Sequence, residues 1–188
     1  QKGDVWDGNN PAYCDETECD FDCGALTGSC IGGSSGTCEC TDTDLPLINL
    51  MYPQEGYWHN SALLYFYYNV SDYGSGLQNC SLLIDGKVNK TTNSPAEDTP
   101  LSFDQTFING SYTWAVECYD NSAARNKNTS ETRNFGIDTT YPQISNPRIS
   151  GITFSVNDYL CLNVTVSDTY SGVNNVLANI VIPDHPNE

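Results

Sequence analysis

Residues 62–71 read Ala62-Leu63-Leu64-Tyr65-Phe66-Tyr67-Tyr68-Asn69-Val70-Ser71. In an extended chain successive side chains point to opposite faces, so Leu64, Phe66, Tyr68 and Val70 share one side. Four large apolar groups at period two predict a strand with one face in a core. The other face carries Leu63, Tyr65 and Tyr67. An outward row this apolar is either covered by a neighbouring module or used as a contact surface.

Similar strands follow on both sides. Ile48 and Leu50 mark one after Pro46, and Gly74-Ser75-Gly76 turns the chain after Ser71. Cys80, Leu82 and Ile84 alternate up to Asp85-Gly86, a hairpin signal. Leu101, Phe103 and Phe107 mark another strand, ended by Asn109-Gly110, and Tyr112, Trp114, Val116 and Cys118 alternate inward after it. Phe135 and Ile137 close the set. About seven short strands with an aromatic core and no amphipathic helix predict a mostly β protein built on an immunoglobulin-like or fibronectin-like sandwich over residues 42–137.

The opening of that unit returns 96 residues later without a gap. Asp42-Thr43-x-x-Pro46 recurs as Asp138-Thr139-x-x-Pro142, and Val70-Ser71-Asp72-x-x-Ser75-Gly76 as Val166-Ser167-Asp168-x-x-Ser171-Gly172. A fixed period means one folding unit used more than once. Leu160, Leu162, Val164 and Val166 occupy the inward positions of Leu64, Phe66, Tyr68 and Val70. Residues 138–188 therefore read as the first half of a second unit, to be completed in the same chain or by another copy. Residues 1–41, rich in Cys, Gly and Asp, form a separate N-terminal module.

Charge narrows the function. The chain has 24 acidic and 7 basic residues, a net of −17. That field repels nucleic acid and anionic membrane, and it favours solubility or cation binding. No apolar run approaches the roughly 20 residues of a membrane helix. Gln1 is an unusual first residue for a nascent chain, so a removed leader is expected. Six N-x-S/T acceptors (Asn69, Asn79, Asn89, Asn109, Asn128 and Asn163) and nine cysteines agree with an extracellular, cell-surface glycoprotein.

Six cysteines, Cys14, Cys19, Cys23, Cys30, Cys38 and Cys40, lie in the N-terminal module. Cys19-x3-Cys23 suits one face of a helical turn, and Cys38-x-Cys40 one face of a strand. Zinc is the alternative to disulfides, although a C-x2-C pair and a nearby His are both missing. Cys80 and Cys118 sit on inward-alternating strands of one unit and are expected to bond. Cys161 falls on the outward face with Asn163 and Thr165, and is a candidate intermolecular thiol; a mate later in the chain or a free thiol are the other readings.

Catalytic patterns are sparse. His59 and His185 have no Ser, Cys or Asp at a recurrent catalytic spacing, and Lys87 and Lys90 follow a hairpin as solvated groups. No enzyme activity and no required cofactor are expected. Hard-oxygen ligands are more plentiful: Asp42, Asp72, Asp120, Asp138 and Asp168 recur at unit junctions and strand ends, which is donor chemistry for a structural calcium. Ordinary turn hydrogen bonding explains aspartates there equally well. An ion would lock the two units together if Asp138 met Asp72 or Asp120.

The run Gly110-Ser111-Tyr112-Thr113-Trp114-Ala115-Val116-Glu117-Cys118-Tyr119-Asp120-Asn121, with Asn126 following, resembles the end of Ig-like repeats in archaeal cell-surface proteins. The Asp42…Pro46 and Val70…Gly76 signatures also match, so the resemblance covers residues 42–182. It implies spacers, coats or adhesins. Residues 14–40 are similar to the cysteine-stabilised αβ scaffold of defensin-like peptides, which implies the pairs Cys14–Cys30, Cys19–Cys38 and Cys23–Cys40. That stretch has no Lys or Arg, unlike basic membrane-active toxins. The expected function is a non-enzymatic structural subunit of a glycosylated surface filament, stalk or coat, assembled with copies of itself or other surface proteins by strand complementation. The alternative is an adhesin or glycan receptor, with Trp6 and Trp58 stacking on sugar.

Overall fold

The computed structural model describes residues 42–149 and 161–179, plus the backbone of four short strands nearer the N-terminus. These are β1 (Cys14–Asp15), β2 (Glu18–Cys19), β3 (Thr27–Ile31) and β4 (Thr37–Thr41). β3 and β4 pair antiparallel with Cys30 opposite Cys38, so the strand expected for Cys38-x-Cys40 is present. Cys19 lies on β2, opposite Cys14 on β1, and the turn expected over residues 19–23 lies outside the described residues. The three implied N-terminal pairings, zinc ligation there, Trp6 and His185 lie outside the described residues.

The first sandwich contains β5 (Leu47–Tyr52), β6 (Tyr57–His59), β7 (Leu63–Ser71), β8 (Leu77–Ile84), β9 (Lys87–Asn93), β10 (Leu101–Thr106), β11 (Gly110–Asp120), β12 (Lys127–Thr129) and β13 (Arg133–Ile137). One sheet runs β10-β7-β5. The other runs β6-β13-β11-β8-β9, with β12 also paired to β11. Leu64, Phe66, Tyr68 and Val70 of β7 are buried, as their alternation requires, against Leu82, Trp114, Val116, Phe135 and Ile137 of the opposite sheet. The Phe66 ring lies 5.1 Å from Trp114 and 5.3 Å from Phe135. Burying each such side chain contributes about 1.5–3 kcal/mol, and the tilted ring pairs add to it.

Cys80 and Cys118 are bonded, with Cα atoms 4.1 Å apart. They are directly opposite on β8 and β11. The bond thus ties neighbouring strands of one sheet, not the two layers of the sandwich. β6 escaped the sequence pattern because its anchor is a ring laid on backbone. Trp58 faces Gly136 across the parallel β6–β13 pair, and a Cβ on Gly136 would fall 2.3 Å from the indole.

In the second unit β14 (Gln143–Ile149) pairs antiparallel with β15 (Leu162–Ser167), with Ile144 opposite Val166 and Ile149 opposite Leu162. Ile144, Ile149, Leu162 and Val164 are exposed. Among the described residues no helix is long and apolar enough to cross a membrane.

Candidate metal centre

Asp42 directly follows β4 and opens the linker into the first sandwich, Asp72 follows β7, and Asp120 is the last residue of β11. Three separate elements thus deliver three carboxylates to one end of the sandwich. One oxygen from each lies within 4.8 Å of the others. Asp120 is fully buried and Asp42 nearly so. At such a separation two unit negative charges repel by about 3 kcal/mol for an effective dielectric near 20. The ion pairs of the described residues, Lys90–Asp104, Lys127–Glu117 and Arg133–Glu131, all lie elsewhere.

Hydrogen bonds hold the cluster in shape. Asp42 accepts from the Asp44 N–H through Oδ1 at 3.0 Å and from the Ser75 N–H through Oδ2 at 2.7 Å. Asp72 Oδ2 accepts from the Gly76 N–H at 3.0 Å. Gly76 has φ +73°, a left-handed conformation that suits glycine, and a Cβ there would press on Glu97. Asp120 Oδ1 accepts from the Ser122 hydroxyl at 2.8 Å, and Oδ2 from Asn126 Nδ2 at 2.8 Å. Asn126 Nδ2 also donates to the Asp42 carbonyl at 2.8 Å, binding the linker to the β11–β12 loop.

One atom is left over. Asp72 Oδ1 is buried and has no hydrogen-bond partner. Desolvation, then the charges of Asp42, Asp120 and Glu97, push the Asp72 carboxyl up to about 6. Asp42 is also desolvated, but the bonds from Ser75 and Asp44 outweigh this and hold its carboxyl below the usual range. Two responses relieve the cluster: Asp72 takes a proton, or a cation takes the place of one. The donors are all oxygens, with no imidazole or thiolate, which fits a hard divalent cation with calcium's preference for six to eight oxygens. Asp42, Asp72 and Asp120 would hold it, with water filling the remaining positions.

The other two aspartates form a separate arrangement. Asp138 Oδ2 accepts from the Ser171 N–H at 3.0 Å and its hydroxyl at 2.7 Å, while Oδ1 accepts from the Thr140 N–H. The Thr140 hydroxyl bond, then those from Ser171, hold the Asp138 carboxyl well below the usual range. Asp168 Oδ1 accepts from the N–H groups of Tyr170 and Gly172. Ile137, just before Asp138, pairs with Gly110 at the start of β11, whereas Asp120 is its last residue, so Asp138 stands at the other end of β11 from the cluster and the expected ion shared with Asp72 or Asp120 does not fit this geometry. Asp138 opens the second unit, and its side chain is engaged by that unit's own loop. The cluster also uses two residues that were not singled out as ligands or supports. Asn126 lay within the motif at the end of the unit, but nothing marked its role. Glu97, whose Oε2 accepts the Asp72 N–H at 2.8 Å, lies in a polar stretch with no spacing signal.

The remaining candidates are dispersed. His59 is half-buried, with Nδ1 3.4 Å from the Tyr57 hydroxyl and its carbonyl accepting the Asp138 N–H. Lys87 is exposed, and Lys90 pairs with Asp104 at 3.0 Å. Cys161 is exposed just before β15. Asn89 and Asn163 are exposed on β9 and β15, while Asn69, Asn79, Asn109 and Asn128 are half-buried. Asn109 Oδ1 accepts from the Thr139 N–H at 3.0 Å at the unit junction.

No family model matches this chain. No curated protein matches it either. Among solved structures, the fibronectin(III)-like modules of Clostridium thermocellum CbhA are similar, with a TM-score of 0.39 and 19% identity over 55% of this chain. The match spans about half, 52%, of that chain.

Proposed function

We propose that this chain is a non-enzymatic extracellular structural protein, a subunit of a glycosylated surface filament, stalk or coat. Its first sandwich is braced by the Cys80–Cys118 bond and by calcium held between Asp42, Asp72 and Asp120. The observation that carries this reading is the repeated clamp at the start of each unit. Asp42 accepts the N–H of Ser75, and Asp138 accepts that of Ser171, each 33 residues on. Units tethered to their linkers in the same way suit a chain that bears load along its length. The sequons and the disulfide support an oxidising, extracellular setting, and the motif resemblance supports a surface-repeat architecture.

The uncovered apolar side chains of β14 and β15 support strand complementation, in which a segment from a second copy lies over them. A head-to-tail contact of that kind polymerises when it does not close. Negative-stain electron microscopy and light scattering of the purified protein, over a concentration series with calcium or with chelator, test the proposal. Ordered filaments or sheets are expected. Monomers at every concentration, with saturable binding to a glycan array, would favour the adhesin instead. Trp58, a candidate sugar platform in that reading, already has its ring laid against Gly136.

A further inference from the structure

The outward face of the β10-β7-β5 sheet carries an aromatic row for which the bracing role has no use. Leu63, Tyr65 and Tyr67 of β7 are 39%, 46% and 41% exposed. The Tyr65 and Tyr67 rings stack with centroids 6.3 Å apart and planes 24° apart. Tyr52 supports Tyr67 from the neighbouring strand at 6.3 Å. Beside the two rings on β10 stand polar partners, with Ser102 opposite Tyr67 and Asp104 opposite Tyr65. Flat apolar rings flanked by a hydroxyl and a carboxylate suit a ligand with one apolar face and a polar rim, which describes a pyranose.

The next side chain on the same face is Asn69, the acceptor of Asn69-Val70-Ser71. Its Oδ1 accepts the Val70 N–H at 2.9 Å, which fixes the amide's orientation. Its Nδ2, the atom a glycan would occupy, meets no acceptor among the described residues. Asn128 provides the contrast. Its Oδ1 likewise accepts the following N–H, from Thr129 at 2.9 Å, but its Nδ2 donates to the Pro46 carbonyl at 2.8 Å. Successive side chains on one face of a strand are about 7 Å apart, the scale of one sugar ring.

We propose that Tyr67 and Tyr65 are the seat of an N-glycan carried by Asn69 of the same chain, whose first two sugars lie over the rings and cover this face. The inference rests on the reading of the chain as an extracellular glycoprotein. Attachment joins Nδ2 to the anomeric carbon of a lipid-phosphate-activated oligosaccharide. The lipid phosphate leaves with the bonding pair, and Nδ2 gives up one proton to a base of the host transferase.

The full chain, secreted from a glycosylating host, provides the test. Wild type, Asn69→Gln, Tyr65→Ser/Tyr67→Ser and the combined variant are compared by thermal melting, with glycan occupancy read by mass spectrometry. Losing the Asn69 glycan is expected to lower Tm by about 3 °C in the tyrosine background and not in the serine background. Nitration of Tyr65 and Tyr67 in folded protein should rise in Asn69→Gln, a readout that does not depend on the serine variants folding. An unoccupied Asn69 beside an occupied Asn163, an equal Tm shift in both backgrounds, or unchanged nitration overturns the proposal. Filament assembly is scored separately by microscopy on the same samples, so failure of this inference is distinguishable from failure of the structural role.

Discussion

The entry loops of the two units begin alike and end differently. In each, an aspartate from the linker accepts the N–H of a serine 33 residues on, and a second aspartate accepts the N–H of the glycine that follows that serine. In the first unit the end of β11 brings a third carboxylate, Asp120, into the group. The consequence is electrostatic. Asp138, surrounded by donors, has its carboxyl pulled down, whereas Asp72, half-buried beside two other carboxylates, has its own pushed up to about 6. A repeated motif therefore supplies a clamp, and only the strand that arrives last turns the clamp into a candidate cation site.

The largest effect separating the units should come from the disulfide, which only the first possesses among the described residues. Closing a loop across a sequence separation of 38 residues stabilises by about 4 kcal/mol in the chain-entropy model. Cys80→Ala/Cys118→Ala is expected to lower the denaturation free energy of the first sandwich by that order. Urea unfolding followed by tryptophan fluorescence, to which the buried Trp114 contributes, measures it. An unchanged midpoint would show that the core alone holds β8 to β11.

Calcium should divide the units next. At about 100 times its dissociation constant, a bound ion adds about 2.7 kcal/mol to the folded state. Calorimetry of the full chain is expected to show a calcium-dependent rise in Tm that Asp120→Asn removes and Asp168→Asn preserves. Equal losses in both variants would place the ion elsewhere and erase the distinction.

The smallest effect is in pH, where Asp72 of the first unit and Asp138 of the second carry opposite signs. With chelator present, Asp72 binds a proton more tightly folded than unfolded between the ordinary carboxylate value, 3.8, and about 6. The contribution of Asp72 to stability therefore falls as pH rises through that window. Asp138 behaves inversely: its folded carboxyl is held low, so its contribution is present above the ordinary carboxylate range and lost as pH falls through and below it. Melting profiles of Asp72→Asn and Asp138→Asn against pH should flatten these two limbs separately. A single shared limb would contradict the assignment.

Much of the fold was legible because it is written in local alternation. Leu64, Phe66, Tyr68 and Val70 declare a buried strand face to any reader of period two, and all four are buried. Cys80 and Cys118 could be paired because each faces inward within one unit. Strand β6 could not be read, since three residues carry no period and Trp58 is anchored on a glycine 78 positions away.

The chain by itself determined the β architecture, the 96-residue repeat, the acidity and the positions of the aspartates, because periodicity and composition act over a few residues at a time. Only the tertiary structure decided which aspartates meet. Asp42, Asp72 and Asp120 lie on three elements whose convergence depends on how the two sheets stack. Glu97 and Asn126 joined them through hydrogen bonds spanning 25 and 84 residues. Electrostatic coupling depends on distance through space, and distance through space is what packing sets.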